Sequence, residues 1–483
     1  MKKFSWKRVI GLVVILILIV VFVQRCTFTE NSKRVFIKDK YGRSLILHGV
    51  NVNADAKSDP LRVGWPQEQD YADLSEKWGF NFVRYLVLWD GIEPEKGKYD
   101  TGYFERIRQR LDWSQKHHLK VVLDMHQDLY ALRFGGDGAP EWAIHDDGQP
   151  FELQTPWELN YRQPAVIASI NNFWDTTRGY GYLQEHYIKA FVEMVKAFKD
   201  HPAVIGYDLY NEPTMATDEA FAFEEKYLKP FYDRLIRAIR EEDTVNWIFY
   251  EPTALGCNQG LRTSLGVLKD YRKGEPRLVY FPHIYTIDLD IKDEYIGFPV
   301  FVNLWGASST WQAKKQKAPM LVGEFGLNVT KEGSSDYLRH LMKMFDKITS
   351  GWAYWAYMKN DSWSPFHRKK WTPFLKEDSH SMAKSILVRP YPQAVAGHPV
   401  SYGFDNEKKR MWLTFIPDKT VKLPTVIYLS KDDYPDGWDL KINLEQGSYA
   451  TRWDEDRRLL YLTVKDTNKK KVVLEVLPAK ENS

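Results

Sequence analysis

The chain of 483 residues is long enough for two or more domains, or for one large barrel with an additional domain. Hydrophobic residues make up 44% of it, which is sufficient for a folded core, and the 67 Lys and Arg residues nearly balance the 64 Asp and Glu residues. Because the positive charges form no long stripe, nucleic-acid binding has no electrostatic support, and the two cysteines, Cys26 and Cys257, form neither a disulfide framework nor a clustered zinc site.

The N-terminus has the layout of an export segment. Basic residues from Lys2 to Arg8 precede an uncharged apolar run, residues 9–23. This layout is typical of a signal peptide or a signal-anchor, and in either case the rest of the chain is exported. No small-residue cleavage site follows, which favours an uncleaved anchor, while a cleaved signal stays open. We therefore predict a targeting segment with a short linker over residues 1–34, and an extracellular protein that is membrane-anchored or secreted.

Residues 35–386 are predicted to form a (β/α)8 TIM barrel. Short apolar runs alternate with segments of helical periodicity, such as Phe104, Ile107 and Leu111 at i, i+3 and i+7. Eight strands alternating with helices match this fold. A doubly wound open sheet is the alternative, but no glycine-rich phosphate loop follows the first strand. The predicted strands span residues 45–53, 81–90, 120–127, 204–213, 246–252, 277–285, 319–326 and 351–358.

Beyond about residue 387 the pattern changes. Short alternating runs are separated by turn-like sequences such as "DYPDG", and no helical stretch is evident. We predict a C-terminal antiparallel β-sandwich domain over residues 387–483. Its predicted strands are "MWLTFIP", "TVIYLS", "DLKINL", "RLLYLTV" and "KVVLEVLP".

Polar side chains recur where the predicted barrel strands end, and barrel enzymes keep their active sites at that face. The fourth strand ends at Glu212 in "YNEP" and the seventh at Glu324 in "VGEFG". Two such carboxyls can flank one glycosidic bond, one protonating the leaving oxygen and the other attacking the anomeric carbon. An arginine and a tyrosine beside a carboxylate keep it ionised, whereas aromatic surroundings raise the pKa of an acid. The other strand ends supply Arg84, His126, His283, Tyr285 and Trp355.

Each of these residues alone also fits a structural role. Arg84 suits pairing with a core acid, a lone histidine such as His126 or His283 suits a packed polar position, and Trp355 suits the core. Their recurrence on successive strands favours a site, because barrel interiors otherwise prefer branched apolar residues.

The sequence resembles glycoside hydrolase family 5, and within it the endoglycoceramidases. "NEP" and "GEFG" are shared by many family members, whereas residues 124–143 and 389–405 carry narrower signals. The resemblance covers nearly everything after residue 35 and excludes the anchor-like N-terminus. The segments that carry it are "DMHQDLYALRFGGDGAPEWA", "YDLYNEP", "PHIY", "GEFG", "GWAYWAYM" and "RPYPQAVAGHPVSYGFD".

The resemblance implies a role for each matching residue. Glu212 would be the acid/base and Glu324 the nucleophile, with carboxyls about 5 to 5.5 Å apart. Arg84 and Tyr285 would hold Glu324, with His283 in a supporting position. The remaining matches would contact sugar: Asn211 at the 2-hydroxyl of the scissile ring, His126 and Asp128 at hydroxyls, Trp355 as a platform, Trp174 as a further wall, and Lys57 as a weaker match.

The implied reaction hydrolyses the bond between an intact oligosaccharide and ceramide, with net retention and a covalent glycosyl-enzyme intermediate. It uses no metal or organic cofactor, and the implied partners are a glycosphingolipid and a membrane or lipid surface. The apolar segment at residues 295–311 fits either a groove for acyl chains or an ordinary helix packed on the barrel. The long connection over residues 128–184 suggests a lid over the site.

Two alternatives stay open. A β-glucosidase acting on glucosylceramide or steryl glucoside, or a β-1,4-glucanase, would use the same carboxyl pair. A non-catalytic surface carbohydrate-binding protein is an alternative of a different class. The presence of both Glu212 and Glu324, with Arg84 and Tyr285 in support, argues against that non-catalytic alternative.

Overall fold

A computed structural model describes residues 34–155, 157–215, 222–286, 289, 295, 297, 299–358, 377–465 and 471–479. The predicted anchor over residues 9–23 lies outside the described residues. Within these ranges, none of the helices combines the length and the apolar character that a bilayer-spanning helix needs.

Eight parallel segments close into a barrel, which confirms the predicted fold class. The seventh segment joins its neighbours through single bridges, from Met320 to Tyr280 of the sixth strand and from Val322 to Trp352 of the eighth. The other seven form one continuous sheet whose order runs from the sixth strand back to the first and on to the eighth. They are Leu47–Val52, Phe82–Leu88, Lys120–His126, Val204–Asp208, Trp247–Tyr250, Leu278–Tyr280 and Gly351–Tyr354.

Amphipathic helices surround the barrel. In the helix Lys229–Glu242, Phe231, Leu235 and Ile239 are fully buried at a spacing of four residues, while Arg237 is exposed. Within the described ranges, the other helices of eight or more residues are Thr101–Lys116, Pro164–Trp174, Tyr182–Phe198, Pro299–Gln316, Ser334–Ile348 and Glu377–Leu387. Shorter helical segments include Glu68–Ala72, Asp73–Lys77, Trp89–Ile92, Glu224–Leu228 and Ala254–Cys257.

The helix Pro299–Gln316 packs on the barrel. Its buried residues include Val302 and Trp305, and the Trp305 indole donates to the carbonyl of His283 at 2.7 Å. Phe301 is half-buried on the same helix. Residues 295–311 were predicted to form either a groove for acyl chains or an ordinary helix packed on the barrel, and the part from Pro299 onward is such a packed helix. This helix supports the end of the sixth barrel strand.

Two antiparallel sheets form the C-terminal sandwich, as predicted. Four of their strands were not predicted for the sandwich. Pro392, Gly397 and Pro399 interrupt two of them, and a third is a largely exposed edge. The fourth is the two-residue strand Ser44–Leu45, which lies far from the others in the sequence. One sheet has the order Ser44–Leu45, Tyr391–Val395, Thr425–Tyr428, Leu459–Val464 and Tyr449–Asp454. The other has the order Gly397–Asp405, Arg410–Pro417, Val472–Pro478 and Trp438–Ile442.

The sandwich contacts the amino end of the barrel, opposite the face where the predicted site residues lie. The Tyr391 hydroxyl donates to the carbonyl of Gly79 and the Tyr402 hydroxyl donates to that of Thr349, both just before barrel strands begin. Phe36 belongs to the same buried cluster as the sandwich core. The residues that precede the first barrel strand therefore pack with the sandwich and join the two parts into one body.

Candidate active site

Glu212 and Glu324 face each other at the carboxyl end of the barrel. Glu212 lies four residues after the fourth strand ends at Asp208. One carboxylate oxygen from each glutamate and one ring nitrogen of His283 all lie within 4.8 Å of one another. This closeness matches a retaining pair, whose carboxyls are about 5 to 5.5 Å apart, and not an inverting pair at about 6.5 to 9.5 Å.

Arg84 lies fully buried beneath Glu324 and is surrounded by carboxylates. Its guanidinium donates to Glu324 Oε1 at 2.6 Å, and to Asp208 and Glu251 at 2.9 Å, with Asp124 at 3.0 Å. These acceptors fix the plane of the guanidinium, which in turn holds one oxygen of Glu324. Burial and the neighbouring Glu251 carboxylate raise the pKa of Asp208 well above its usual range. The Arg84 guanidinium lowers the same pKa and so opposes this rise.

Two asparagines complete the shell of Arg84. The guanidinium donates to Oδ1 of Asn51 at 3.0 Å and to Oδ1 of Asn211 at 2.9 Å. Nδ2 of Asn211 donates to the carbonyl of Gln127 at 2.9 Å. Because an amide nitrogen carries two hydrogens, the second one is available for a ligand hydroxyl at the site.

Burial governs the acidity of Glu324. Its Oε2 accepts from the Tyr285 hydroxyl at 3.1 Å. Burial raises the pKa of Glu324 to about 7, opposed by His283 and Arg84 and assisted by Glu212. Arg84 and Tyr285 thus do not keep this carboxyl ionised to low pH, contrary to the sequence-based expectation, because burial outweighs them. Glu324 therefore stays protonated below about pH 7 and becomes an attacking carboxylate as the pH rises through that value.

We expect kcat/KM to rise as pH rises through about 7. Glu324 must be ionised to attack the anomeric carbon, and its raised pKa keeps it protonated below this pH and releases the proton above it. A pH series of kcat/KM checks this expectation. A profile without a rise between about pH 6 and 8 would contradict it.

Glu212 is held from two neighbouring strands. Its Oε1 accepts from Nδ2 of Asn258 at 2.8 Å and lies 2.8 Å from Nδ1 of His283. Its backbone N–H donates to Glu251 Oε2 at 2.9 Å. The φ of Glu212 is 46°, in the left-handed region that residues other than glycine seldom adopt, and the bond to Glu251 stabilises this conformation. The side chain remains 19% exposed, against 6% for Glu324, so Glu212 lies nearer to the solvent.

His283 connects the two glutamates. Its Nδ1 lies 3.6 Å from Glu324 Oε2, and its Nε2 lies 3.1 Å from Glu251 Oε1. Burial alone would lower the pKa of His283, but the carboxylates of Glu251 and Glu324 and the contact with Glu212 raise it well above its usual value. Gly323 permits this approach, because a Cβ there would lie 2.7 Å from Nε2 of His283. His283 is therefore an imidazolium enclosed by three carboxyls.

A second polar group lies beside the pair and contains four of the predicted sugar-binding residues. Nε2 of His126 lies 3.6 Å from Asp128 Oδ2, and the His126 ring stacks on Trp355 with centroids 5.5 Å apart. Nζ of Lys57 lies 4.0 Å from Asp128 and 3.9 Å from Asp137. The structure thus brings Lys57, His126, Asp128 and Trp355 together, with hydroxyl-binding groups next to an aromatic face.

Trp174 differs from its predicted position as a wall of the site. It ends the helix Pro164–Trp174 and is only 1% exposed. Its ring packs against Tyr210, and edge-on against Phe223 and Phe231, with centroids 5.0 to 5.4 Å apart. The described packing is that of a core residue without an open face, because nearly every residue of this helix is buried.

Four residues of the site were not predicted from the sequence: Asn51, Asp208, Glu251 and Asn258. Glu251 had a detectable signal, since the fifth strand ends in "YEPT" much as the fourth ends in "YNEPT". Asn258 follows the short kinked turn Ala254–Cys257, and no sequence pattern indicates where such a turn places the next side chain.

Among the residues that the structure describes, three groups of carboxyl and imidazole side chains are compact enough to hold a cation. They are His126 with Asp128 and Asp137, Glu212 with His283 and Glu324, and Asp124 with Asp208 and Glu251. Each group already contains or contacts a cationic side chain: Lys57, the His283 imidazolium and Arg84, respectively. These fixed positive charges supply the counter-charge that a metal ion would otherwise provide.

Most of the chain matches known protein families. Residues 39–361 match the family model for cellulase (glycosyl hydrolase family 5), and residues 389–476 match the glycoside hydrolase family 5 C-terminal domain. Endoglycoceramidase I of Rhodococcus hoagii (strain 103S) is 27% identical over 432 residues, which cover 86% of this chain and 82% of the relative.

Two solved structures of endo-glycoceramidase II from Rhodococcus sp. are also similar to this chain. The complex with ganglioside GM3 has a TM-score of 0.85 at 34% identity, and the lactosyl-enzyme intermediate has a TM-score of 0.83 at 34% identity. Each comparison covers 92% of this chain and 100% of the other chain.

Proposed function

Because the chain belongs to glycoside hydrolase family 5, among its endoglycoceramidase-like members, we propose that it cleaves the bond between the oligosaccharide and the ceramide of glycosphingolipids with retention of configuration. The observation that carries the proposal is the short separation of Glu212 and Glu324 across the barrel mouth, with Arg84 and Tyr285 bound to Glu324.

In the first step Glu324 attacks the anomeric carbon. The bond from that carbon to the ceramide oxygen breaks, and Glu212 gives its proton to the departing alkoxide. Arg84 and Tyr285 orient the two oxygens of Glu324 for this attack. Burial raises the pKa of Tyr285 well above its usual value, so its phenol stays neutral and donates a hydrogen bond throughout.

In the second step Glu212 acts as the base. It takes a proton from a water molecule, the water oxygen attacks the anomeric carbon, and the bond to Glu324 breaks. Two inversions at the same carbon give net retention. The His283 imidazolium contacts both glutamates. It therefore stabilises the negative charge of each carboxylate in the step where that carboxylate is ionised.

The loops that follow the third and fifth strands carry exposed apolar side chains, which fit a substrate with a lipid aglycone. Leu132 and Trp157 in the first loop are 47% and 46% exposed, and Leu255 and Leu261 in the second are 63% and 60% exposed. These loops lie at the carboxyl face, so their apolar side chains are placed to meet acyl chains or a lipid surface beside the carboxyl pair.

Product analysis tests the proposed substrate. We expect the purified protein to release an intact oligosaccharide and free ceramide from a ganglioside, as detected by mass spectrometry. Release of glucose from glucosylceramide or from cello-oligosaccharides would replace the proposal with a glucosidase or glucanase. Retention on a glycolipid-coated surface without turnover would replace it with a binding function.

We further propose that the catalytic body acts outside the cell, tethered by its N-terminus or secreted. The support is the basic segment from Lys2 to Arg8 followed by the apolar run of residues 9–23. Protease treatment of intact cells that express the full chain checks this location, because a body that remains protected until the cells are lysed would contradict it.

A further inference from the structure

We propose that Asn258 is a positioning residue that holds Oε1 of Glu212, so that Oε2 carries the proton delivered to the leaving group. This inference rests on the proposed role of Glu212 as the acid/base. It assigns a distinct task to each oxygen of that carboxyl.

The two oxygens of Glu212 have different surroundings. Oε1 is contacted by Nδ2 of Asn258 and by Nδ1 of His283, each at 2.8 Å. Among the described residues, no hydrogen bond reaches Oε2. A proton on Oε1 would be repelled by the hydrogens of these two donors, whereas a proton on Oε2 faces no donor hydrogen from the described residues. The transferable proton therefore resides on Oε2, the oxygen that can meet the glycosidic oxygen of the substrate.

Asn258 is better suited than His283 to fix this orientation. His283 is shared among three carboxyls, with Glu251 at 3.1 Å and Glu324 at 3.6 Å in addition to Glu212. Asn258 makes one such contact and is 6% exposed. Its neutral amide donates to Oε1 whether Glu212 is protonated or ionised, so it serves both the acid step and the base step.

The backbone of Asn258 is anchored on both sides. Its N–H donates to the carbonyl of Ala254 at 3.2 Å, and its carbonyl accepts from the N–H of Tyr285 at 3.1 Å. The Tyr285 hydroxyl bonds Glu324. Asn258 thus links the carboxyl of the acid/base to the strand end that carries the partner of the nucleophile, and fixes the two relative to each other.

The test replaces the amide and follows the pH profile. In Asn258→Leu the donor to the charged form of Glu212 is lost, so the alkaline limb of kcat/KM on a ganglioside should move up by about one pH unit. Turnover of the ganglioside at the optimum should fall by on the order of tenfold. Release of fluoride from a glycosyl fluoride in the first step should change by less than about twofold, because fluoride leaves without a proton.

Asn258→Asp keeps the size of the side chain and offers a donor only when protonated. We expect its activity on the ganglioside to approach that of the unaltered protein at low pH and to fall as the new carboxyl ionises. The charged and titratable groups that surround Glu212 stay unchanged in both variants; they are His283, Glu251, Glu324, Tyr161 and Tyr285.

Asn246→Leu is the matched control. Asn246 is a buried asparagine whose Nδ2 donates to the carbonyl of Lys199 at 2.9 Å, at the amino end of the fifth strand. Its replacement should lower thermal stability and leave the pH profile in place. An unshifted alkaline limb in both Asn258 variants, or equal losses on ganglioside and fluoride substrates, would overturn the proposal for Asn258 alone. An unaltered protein that cleaves no glycoside would overturn the proposed function together with it.

Discussion

Glu324→Gln is expected to abolish turnover of every glycoside, with a loss on the order of 10⁵-fold, the scale seen when a covalent nucleophile is removed. The amide cannot form the glycosyl ester, and no leaving group is good enough to replace a missing nucleophile. In this variant Arg84 can still donate to the amide oxygen, and the Tyr285 hydroxyl can accept from the amide nitrogen, so the barrel should stay folded. Steady-state rates on a ganglioside and on a glycosyl fluoride measure the effect.

Azide provides the complementary result for the same position. In Glu324→Ala a small anion can enter the space of the carboxyl, attack the anomeric carbon once and give a glycosyl azide of inverted configuration. Glu241→Gln, an exposed glutamate on the helix Lys229–Glu242, is the control and should retain full activity. If Glu324→Gln turns over the glycosyl fluoride at a rate within about tenfold of that of the unaltered protein, Glu324 is not the nucleophile.

Glu212→Gln is expected to impair only the steps that move a proton. Turnover of a ganglioside should fall by roughly 10²- to 10⁴-fold, because the ceramide alkoxide needs a proton to depart. The first step with a fluoride or dinitrophenyl glycoside should be far less affected. Added azide should then restore the second step and give a glycosyl azide of retained configuration, since azide needs no general base.

A shift in acidity accompanies this change. The Glu212 carboxyl contributes to the raised pKa of Glu324, so its neutralisation should lower that pKa and let Glu324 ionise at lower pH. The acidic limb of the rate on the activated substrate should move down accordingly. If Glu212→Gln is equally impaired on activated and natural substrates, even with azide, Glu212 is not the acid/base.

The barrel could be predicted from the sequence because its strands are buried on both faces and read as short apolar-rich runs. The first strand, Leu47–Val52, and the second, Phe82–Leu88, are buried at every position. Three of the sandwich strands beyond residue 387 could not be predicted in the same way. Prolines and a glycine interrupt two of them, and Tyr449–Asp454 is an edge strand with little apolar alternation.

The positions of site residues could be predicted from the sequence only where the barrel strands themselves determine them. Carboxyl ends of parallel strands converge, so Glu212 and Glu324 could be expected to meet. Asn258 depends on a kinked turn, which leaves no sequence pattern. Trp174 belongs to an apolar helix face, and its type alone does not separate a sugar platform from a core ring. The acidity of Glu324 depends on depth of burial, which the identity of its neighbours does not reveal.

Trapping the glycosyl-enzyme tests the central claim most directly. A 2-deoxy-2-fluoro-lactosyl fluoride should glycosylate the protein faster than water can release it, because fluoride leaves readily and the fluorine at C2 destabilises the transition state of both steps. Mass spectrometry of the digested protein is predicted to place one 2-deoxy-2-fluoro-lactosyl adduct on Glu324, in the sequence "VGEFG". An adduct on Glu212 or on another residue, or turnover of the reagent without any adduct, would contradict the assignment of the nucleophile.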